Sequence, residues 1–221
     1  MQKLIISPSI LAMDFSQVNQ QITKFNQSGA QWMHFDVMDG HFVPNLTFGP
    51  DVLTGFKKIT KALMDVHIMV ENPTVVAPWF VDAGADLITF HREACADIES
   101  CVALCRKLRS QGVMAGVSVK PKTDVKDLIP YLEEMDVVLI MSVEPGFGGQ
   151  AFMPEVLDKV RQLHKVITDR HLSTRIQIDG GINAETGKLA VAAGCDTLVA
   201  GSYVFKRDMR EAVHSLLCLE K

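Results

Sequence analysis

At 221 residues, 48% of them hydrophobic, the chain can bury a full core and lies within the size of one large domain, so a single domain over residues 1–221 is expected. A net charge of −4 without a basic run that could neutralise a phosphate backbone argues against nucleic acid and for a small-molecule ligand. The opening MQKLIISPSILAM lacks the apolar core of a signal peptide, and no later apolar run approaches the roughly 18 residues of a membrane helix, which points to the cytoplasm.

In chain order, β-rich apolar runs fall at 3–7, 31–38, 62–69, 86–91, 113–119, 136–142, 175–179 and 196–200. Amphipathic stretches such as 14–27, 97–110, 154–170 and 184–193 lie between them, several ending in AGA or AGC as helix C-caps often do. Eight βα repeats in this length predict a closed (β/α)8 TIM barrel, with an open doubly wound sheet as the runner-up. No linker or low-complexity tract divides the chain. Cys95, Cys101, Cys105, Cys195 and Cys218 are an odd count in a chain large enough to need no staples, so reduced thiols are expected, with Cys101 and Cys105 as buried helix residues.

The stretch HFDVMDGHFVPN at 34–45 raises the question of function. Side chains alternate along a strand, so Met33, Phe35 and Val37 share the face toward the outer helices while His34, Asp36 and Met38 point into the barrel. Inward polar groups are tolerable near the C-terminal mouth, where barrel enzymes place their chemistry. The same parity groups Asp65, His67 and Met69 in the third run and Arg175, Gln177 and Asp179 in the seventh, while the sixth contributes Met141. A lone inward histidine or aspartate is usually a hydrogen-bonded structural group. His34, Asp36, His67 and Asp179 together, arriving from three strands, suit one divalent ion of zinc, iron, manganese or cobalt.

Glycine-rich segments follow three adjacent strands: EPGFGGQ at 144–150, DGG at 179–181 and AGS at 200–202. Such loops let backbone amides approach a ligand, and barrel enzymes commonly bind phosphate after strands 7 and 8. A cation beside a phosphate pocket fits a phosphosugar whose carbonyl is polarised so that the adjacent C–H becomes acidic. With Asp36 and Asp179 on opposite sides of the substrate plane, one removes a proton and the other returns one to the opposite face, which is an epimerisation. Met38, Met69 and Met141 would line the site with soft, water-excluding atoms.

SPSILAMDF, HFDVMDGHFVPN, DVHIMVENP, AGADLITFH, MSVEPGFGGQAFMPE, IDGGIN and VAGSYVF together make the sequence resemble the ribulose-phosphate 3-epimerase family over nearly its whole length. The resemblance implies a metal-dependent isomerase of the pentose phosphate pathway that interconverts D-ribulose 5-phosphate and D-xylulose 5-phosphate, with one divalent metal ion per subunit in a dimer or hexamer. By position it makes His34, Asp36, His67 and Asp179 the metal ligands, Asp36 and Asp179 the acid/base pair, and Ser9 a substrate contact. Gly146, Phe147, Gly148, Gly149, Gly180, Gly181, Gly201 and Ser202 fall on its phosphate-binding stretch.

Two departures stand out. Lys122 replaces a turn glycine in KPKT and would strain a turn that needs positive φ, and Gln177 stands where an acidic residue is common, so a charge near Asp179 would be missing. The alternatives are an epimerase of a related ketose phosphate such as allulose 6-phosphate and an aldolase-type lyase using Lys120, which has inward parity after the fifth run. A decarboxylase of a related barrel is disfavoured by the absence of its D-x-K-x-x-D pattern. His91 is expected as a neighbour of the ligands; His41, His164, His171 and His214 are expected on loops or helix surfaces.

Overall fold

In the computed structural model, residues 3–220 are described. The apolar runs become β1 (Ile5–Pro8), β2 (Trp32–Met38), β3 (Leu63–Met69), β4 (Leu87–His91), β5 (Met114–Val119), β6 (Val137–Met141), β7 (Arg175–Asp179) and β8 (Thr197–Ala200). They pair in parallel in the order β1-β8-β7-β6-β5-β4-β3-β2. A parallel bridge between Ser9 and His34 joins the two end strands. An open sheet would leave β1 and β2 as free edges; here they meet, giving a nearly closed (β/α)8 barrel.

Helices α1 (Val18–Gln27), α2 (Pro50–Ile59), α3 (Pro73–Asp82), α4 (Ile98–Ser110), α5 (Leu157–Asp169), α6 (Ala184–Ala193), α7 (Ser202–Phe205) and α8 (Met209–Leu217) surround the strands. Their starts carry expected signals: capping boxes at Asp97 with Ser100 and at Asn183 with Thr186, and prolines in the first turns of α2 and α3. The βα repeat lapses between β5 and β6, where only a 3₁₀ segment, Ile129–Glu134, forms. Pro130 has no N–H to give there, which favours a short tight segment over a full helix. Among the described residues no helix is long and apolar enough to cross a membrane.

Alternation along the strands sorts the chain into two interiors. Met33, Phe35 and Val37 join the large core between sheet and helices. The Phe35 ring lies 5.1, 6.2 and 6.5 Å from those of Phe48, Phe56 and Phe80. Burying one such side chain stabilises the fold by about 1.5–3 kcal/mol. Inside the barrel, Ile5, Trp32, Leu87 and Val137 close the N-terminal end. Toward the C-terminal end the inward residues become polar, and Ser7, His34, Asp65, His67, Thr89, His91, Ser118 and Gln177 are all fully buried.

Candidate metal centre and active-site cavity

The C-terminal end of β2 is fixed by the loop that follows it. The Thr47 hydroxyl donates to the Asp36 carbonyl at 2.6 Å and accepts from the Met38 N–H at 2.9 Å. The Asp39–Gly40 turn is held by the Asp39 carboxylate, which accepts from the N–H groups of His41, Phe42 and Glu71. His34 and Asp36 therefore sit on a strand with little freedom to shift.

One layer lower, Asp65 Oδ2 accepts from Ser7 Oγ at 2.8 Å and from Gln177 Nε2 at 2.5 Å, and lies 2.8 Å from His34 Nδ1. Because this oxygen acts as the acceptor throughout, His34 Nδ1 carries a proton toward Asp65, and Nε2 is the nitrogen turned toward Asp36 and Asp179. Gln177 thus turns its Nε2 to Asp65, which orients His34, while its Oε1 stays buried without a hydrogen-bond partner among the described residues. The residues form one hydrogen-bonded group drawn from β1, β2, β3 and β7.

Above it, His34, Asp36, His67 and Asp179 each present one nitrogen or oxygen, all within 4.8 Å of one another. His34 Nε2 is 3.4 Å from Asp36 Oδ1 and 3.8 Å from Asp179 Oδ2, and His67 Nδ1 is 3.5 Å from Asp36 Oδ1. Ligands at about 2.0–2.1 Å from a tetrahedral ion would stand about 3.3–3.4 Å apart, close to the two separations from Asp36 Oδ1 and shorter than that from Asp179 Oδ2. His34 Nε2 and His67 Nδ1 are buried and have no hydrogen-bond partner. A buried polar atom left unpaired costs about 1–3 kcal/mol. Two such nitrogens facing two carboxylates fit a divalent cation.

Charge differentiates the four. Burial alone would raise the Asp36 carboxyl, but His34 and His67 beside it hold it well below the usual carboxylate range. Burial and then the neighbouring Asp36 charge push Asp179 up to about 7. Burial opposes a charge on His34, yet Asp65 and Asp36 outweigh it and raise the imidazole well above its ordinary value, while burial lowers His67. The pair of carboxylates is thus split into one that ionises readily and one that gives up its proton less readily. Behind His67, burial lowers His91 to about 4; Glu93 resists its own burial and is lowered to about 2, chiefly by hydrogen bonds from His91 and Thr123.

A cavity of about 470 Å³ opens directly above the cluster. Asp36 and Asp179 form part of its floor with Ser9, whose hydroxyl donates to Asp36 Oδ2 at 2.5 Å. Met38, Met69 and Met141 line it too, as do Gly146, Phe147, Gly148, Gly149, Gly180, Gly181, Gly201 and Ser202. Gly180 has φ 122°, and a Cβ there would come within 2.7 Å of Val143; one at Gly181 would stand 2.6 Å from the Phe152 nitrogen. Both positions exclude any side chain and leave the backbone bare at the cavity wall. The Ser142 hydroxyl donates to the carbonyls of Asp179 and Gly180 and clamps the end of β7.

Other residues were not singled out from sequence. Asn45, within the quoted HFDVMDGHFVPN, donates to the Gly146 carbonyl at 2.8 Å and ties the β2 loop to the loop after β6. Among the described residues Lys206 is the one cation lining the cavity; an isolated lysine after the AGS segment is the sequence signal for it. Lys120 behaves otherwise than the lyase alternative requires: it does not line the cavity, and its ammonium packs 4.0 Å from the Phe42 ring centre. Lys122 causes no strain, since among the described residues the only non-glycine with positive φ is His171. Cys101, Cys105 and Cys195 are buried, and all five thiols are free.

Comparison with known proteins joins this geometry to a lineage. The ribulose-phosphate 3 epimerase family model matches residues 5–205. The chain belongs to that family. It is 47% identical over 204 residues to the ribulose-phosphate 3-epimerase of Mycobacterium tuberculosis (strain ATCC 25618 / H37Rv), covering 92% of this chain and 87% of that one. With the ribulose-phosphate 3-epimerase of Bacillus subtilis (strain 168) it shares 39% identity over 213 residues, covering 96% and 97%. The chain is accordingly an epimerase, an enzyme of the isomerase class. Among solved structures, 3-keto-L-gulonate-6-phosphate decarboxylase from Vibrio cholerae O1 matches with a TM-score of 0.69 at 13% identity, covering 100% of this chain and 98% of that one. The 3-hexulose-6-phosphate synthase from Salmonella typhimurium matches at 0.65 and 17%, covering 98% of each. At such identities the likeness concerns the barrel alone.

Proposed function

We propose that the chain, as one barrel domain, interconverts D-ribulose 5-phosphate and D-xylulose 5-phosphate in the pentose phosphate pathway by moving the C3 proton through an enediolate. The observation that carries this reading is the meeting of Asp36 and Asp179, from β2 and β7, with two unpaired imidazole nitrogens at the floor of one cavity. His34, Asp36, His67 and Asp179 would hold one divalent ion. Bound there, the ion supplies positive charge that acidifies the C–H beside the substrate carbonyl and offsets the charge of the enediolate.

The protein's own groups do the rest. Asp36, oriented by the Ser9 hydroxyl, removes the proton from one face of C3, and Asp179 returns one to the other face; the reverse reaction exchanges their roles. Met38, Met69 and Met141 keep water from the reacting carbon. The bare backbone of Gly146, Gly148, Gly149, Gly180, Gly181 and Gly201, with Phe147 and Ser202, receives the phosphate at the far side of the cavity.

The test is to supply ribulose 5-phosphate to metal-loaded protein in deuterated water. Xylulose 5-phosphate labelled at C3 is the expected product; chelation should stop its formation and added metal should restore it. Faster turnover of allulose 6-phosphate would change the substrate assignment, and an imine trapped by borohydride would replace the epimerase reading with the Lys120 lyase.

A further inference from the structure

His67 can offer Nδ1 to a cation only if its proton resides on Nε2, and a chain of buried and half-buried groups outside the cavity decides where that proton lies. His67 Nε2 is 2.9 Å from His91 Nε2, both side chains being fully buried. Two imidazole nitrogens in such contact share one proton, so one ring must donate and the other accept. On the far edge of the His91 ring, Nδ1 lies 3.2 Å from Glu93 Oε2. The other Glu93 oxygen accepts from the Lys120 N–H at 2.7 Å and from the Thr123 hydroxyl. A carboxylate anchored by two donors on one oxygen presents its second oxygen as an acceptor. His91 therefore carries its proton on Nδ1 and accepts at Nε2, and the proton between the rings belongs to His67.

We propose that Glu93 and His91 are positioning residues that set the His67 tautomer and aim its Nδ1 lone pair at the cation. The inference rests on the metal reading of the four-residue cluster and deepens it. It also explains an asymmetry: His34 is oriented directly by a carboxylate, Asp65, whereas His67 is oriented by a carboxylate acting through a second imidazole. Phe42 covers the relay, its ring 4.8 Å from that of His91, and keeps water from competing for the inter-ring bond.

Glu93→Gln tests the assignment because it keeps the side-chain volume and reverses the logic. The single amide oxygen is taken by the Lys120 N–H and Thr123 hydroxyl, so the NH₂ faces His91 Nδ1 and makes it an acceptor. His91 then donates from Nε2, and the His67 proton is driven to Nδ1. The full-length protein, labelled with ¹⁵N-histidine and free of metal, is examined by two-bond ¹H–¹⁵N correlation, and cobalt(II) affinity is measured by chelator competition. The wild type should show His67 protonated on Nε2; E93Q should show it on Nδ1 and bind cobalt(II) about 10–100-fold more weakly. A wild-type His67 protonated on Nδ1 overturns the proposal even if E93Q does not fold. So does an E93Q protein with the wild-type tautomer and affinity. Wild-type protein that binds no cobalt(II) overturns the metal reading, and this inference with it.

Discussion

The two ends of the barrel interior are built from the same strands, yet their chemistry is opposite. At the N-terminal end Ile5, Trp32, Leu87 and Val137 pack against one another with Leu63 and Met114 beside them. At the other end Asp36, His67, His91 and Ser118 are buried just as deeply. Of the buried side-chain polar atoms without a partner among the described residues, all but Arg92 Nε belong to the inward-facing residues His34, Asp65, His67, Thr89, Ser118 and Gln177. The contrast teaches that stability and chemistry are separated along the barrel axis: apolar closure below supports polar groups above that would be unfavourable on their own.

Breaking each end should have different consequences. The largest effect is expected from Asp36→Asn or Asp179→Asn, each of which takes away one of the two proposed proton-transfer groups and proposed ligands: kcat should fall by at least about 10²–10⁴-fold while the fold is retained, read by steady-state kinetics beside circular dichroism. Either variant with wild-type turnover would refute the two-carboxylate mechanism. Trp32→Ala at the apolar end should lower stability by about 3–5 kcal/mol in denaturant unfolding, with turnover per folded molecule unchanged. A loss of turnover without a loss of stability would show that the two ends are coupled.

Smaller changes sharpen the comparison. Asp65→Asn removes the negative charge from the one oxygen that serves His34, Ser7 and Gln177; metal affinity should drop about 10–100-fold, as measured by chelator competition. Lys206→Ala, at the exposed rim, should raise KM by less than about tenfold and leave kcat alone, and the difference should shrink with added salt. An effect on kcat instead would place Lys206 nearer the reacting carbon than the cavity wall suggests.

Much of this was legible in the chain itself. The β runs read from sequence agree with the strands to within two residues at either end, because parallel strands covered on both faces are short, apolar and bounded by breakers. Alternation alone put His34 and Asp36 on one face and Phe35 and Val37 on the other. The segment between β5 and β6 was less legible, since a βα rhythm says little about how a proline-bearing connection will fold. The roles of Asn45, Lys206 and Gln177 were out of reach for a different reason: each depends on a partner in a distant part of the chain or on the cavity itself, such as Asp65, which is 112 residues from Gln177.

Local pattern therefore determined the strand positions, the facing of each side chain and the inventory of groups available for chemistry, because periodicity and residue type act over a few neighbours. Which groups meet, and which nitrogen of each histidine is left free, was decided only when the strands closed into a barrel. Hydrogen-bond direction depends on the acceptor at the other end of the bond, and for His34 and His67 those partners, Asp65 and His91, arrive from other strands.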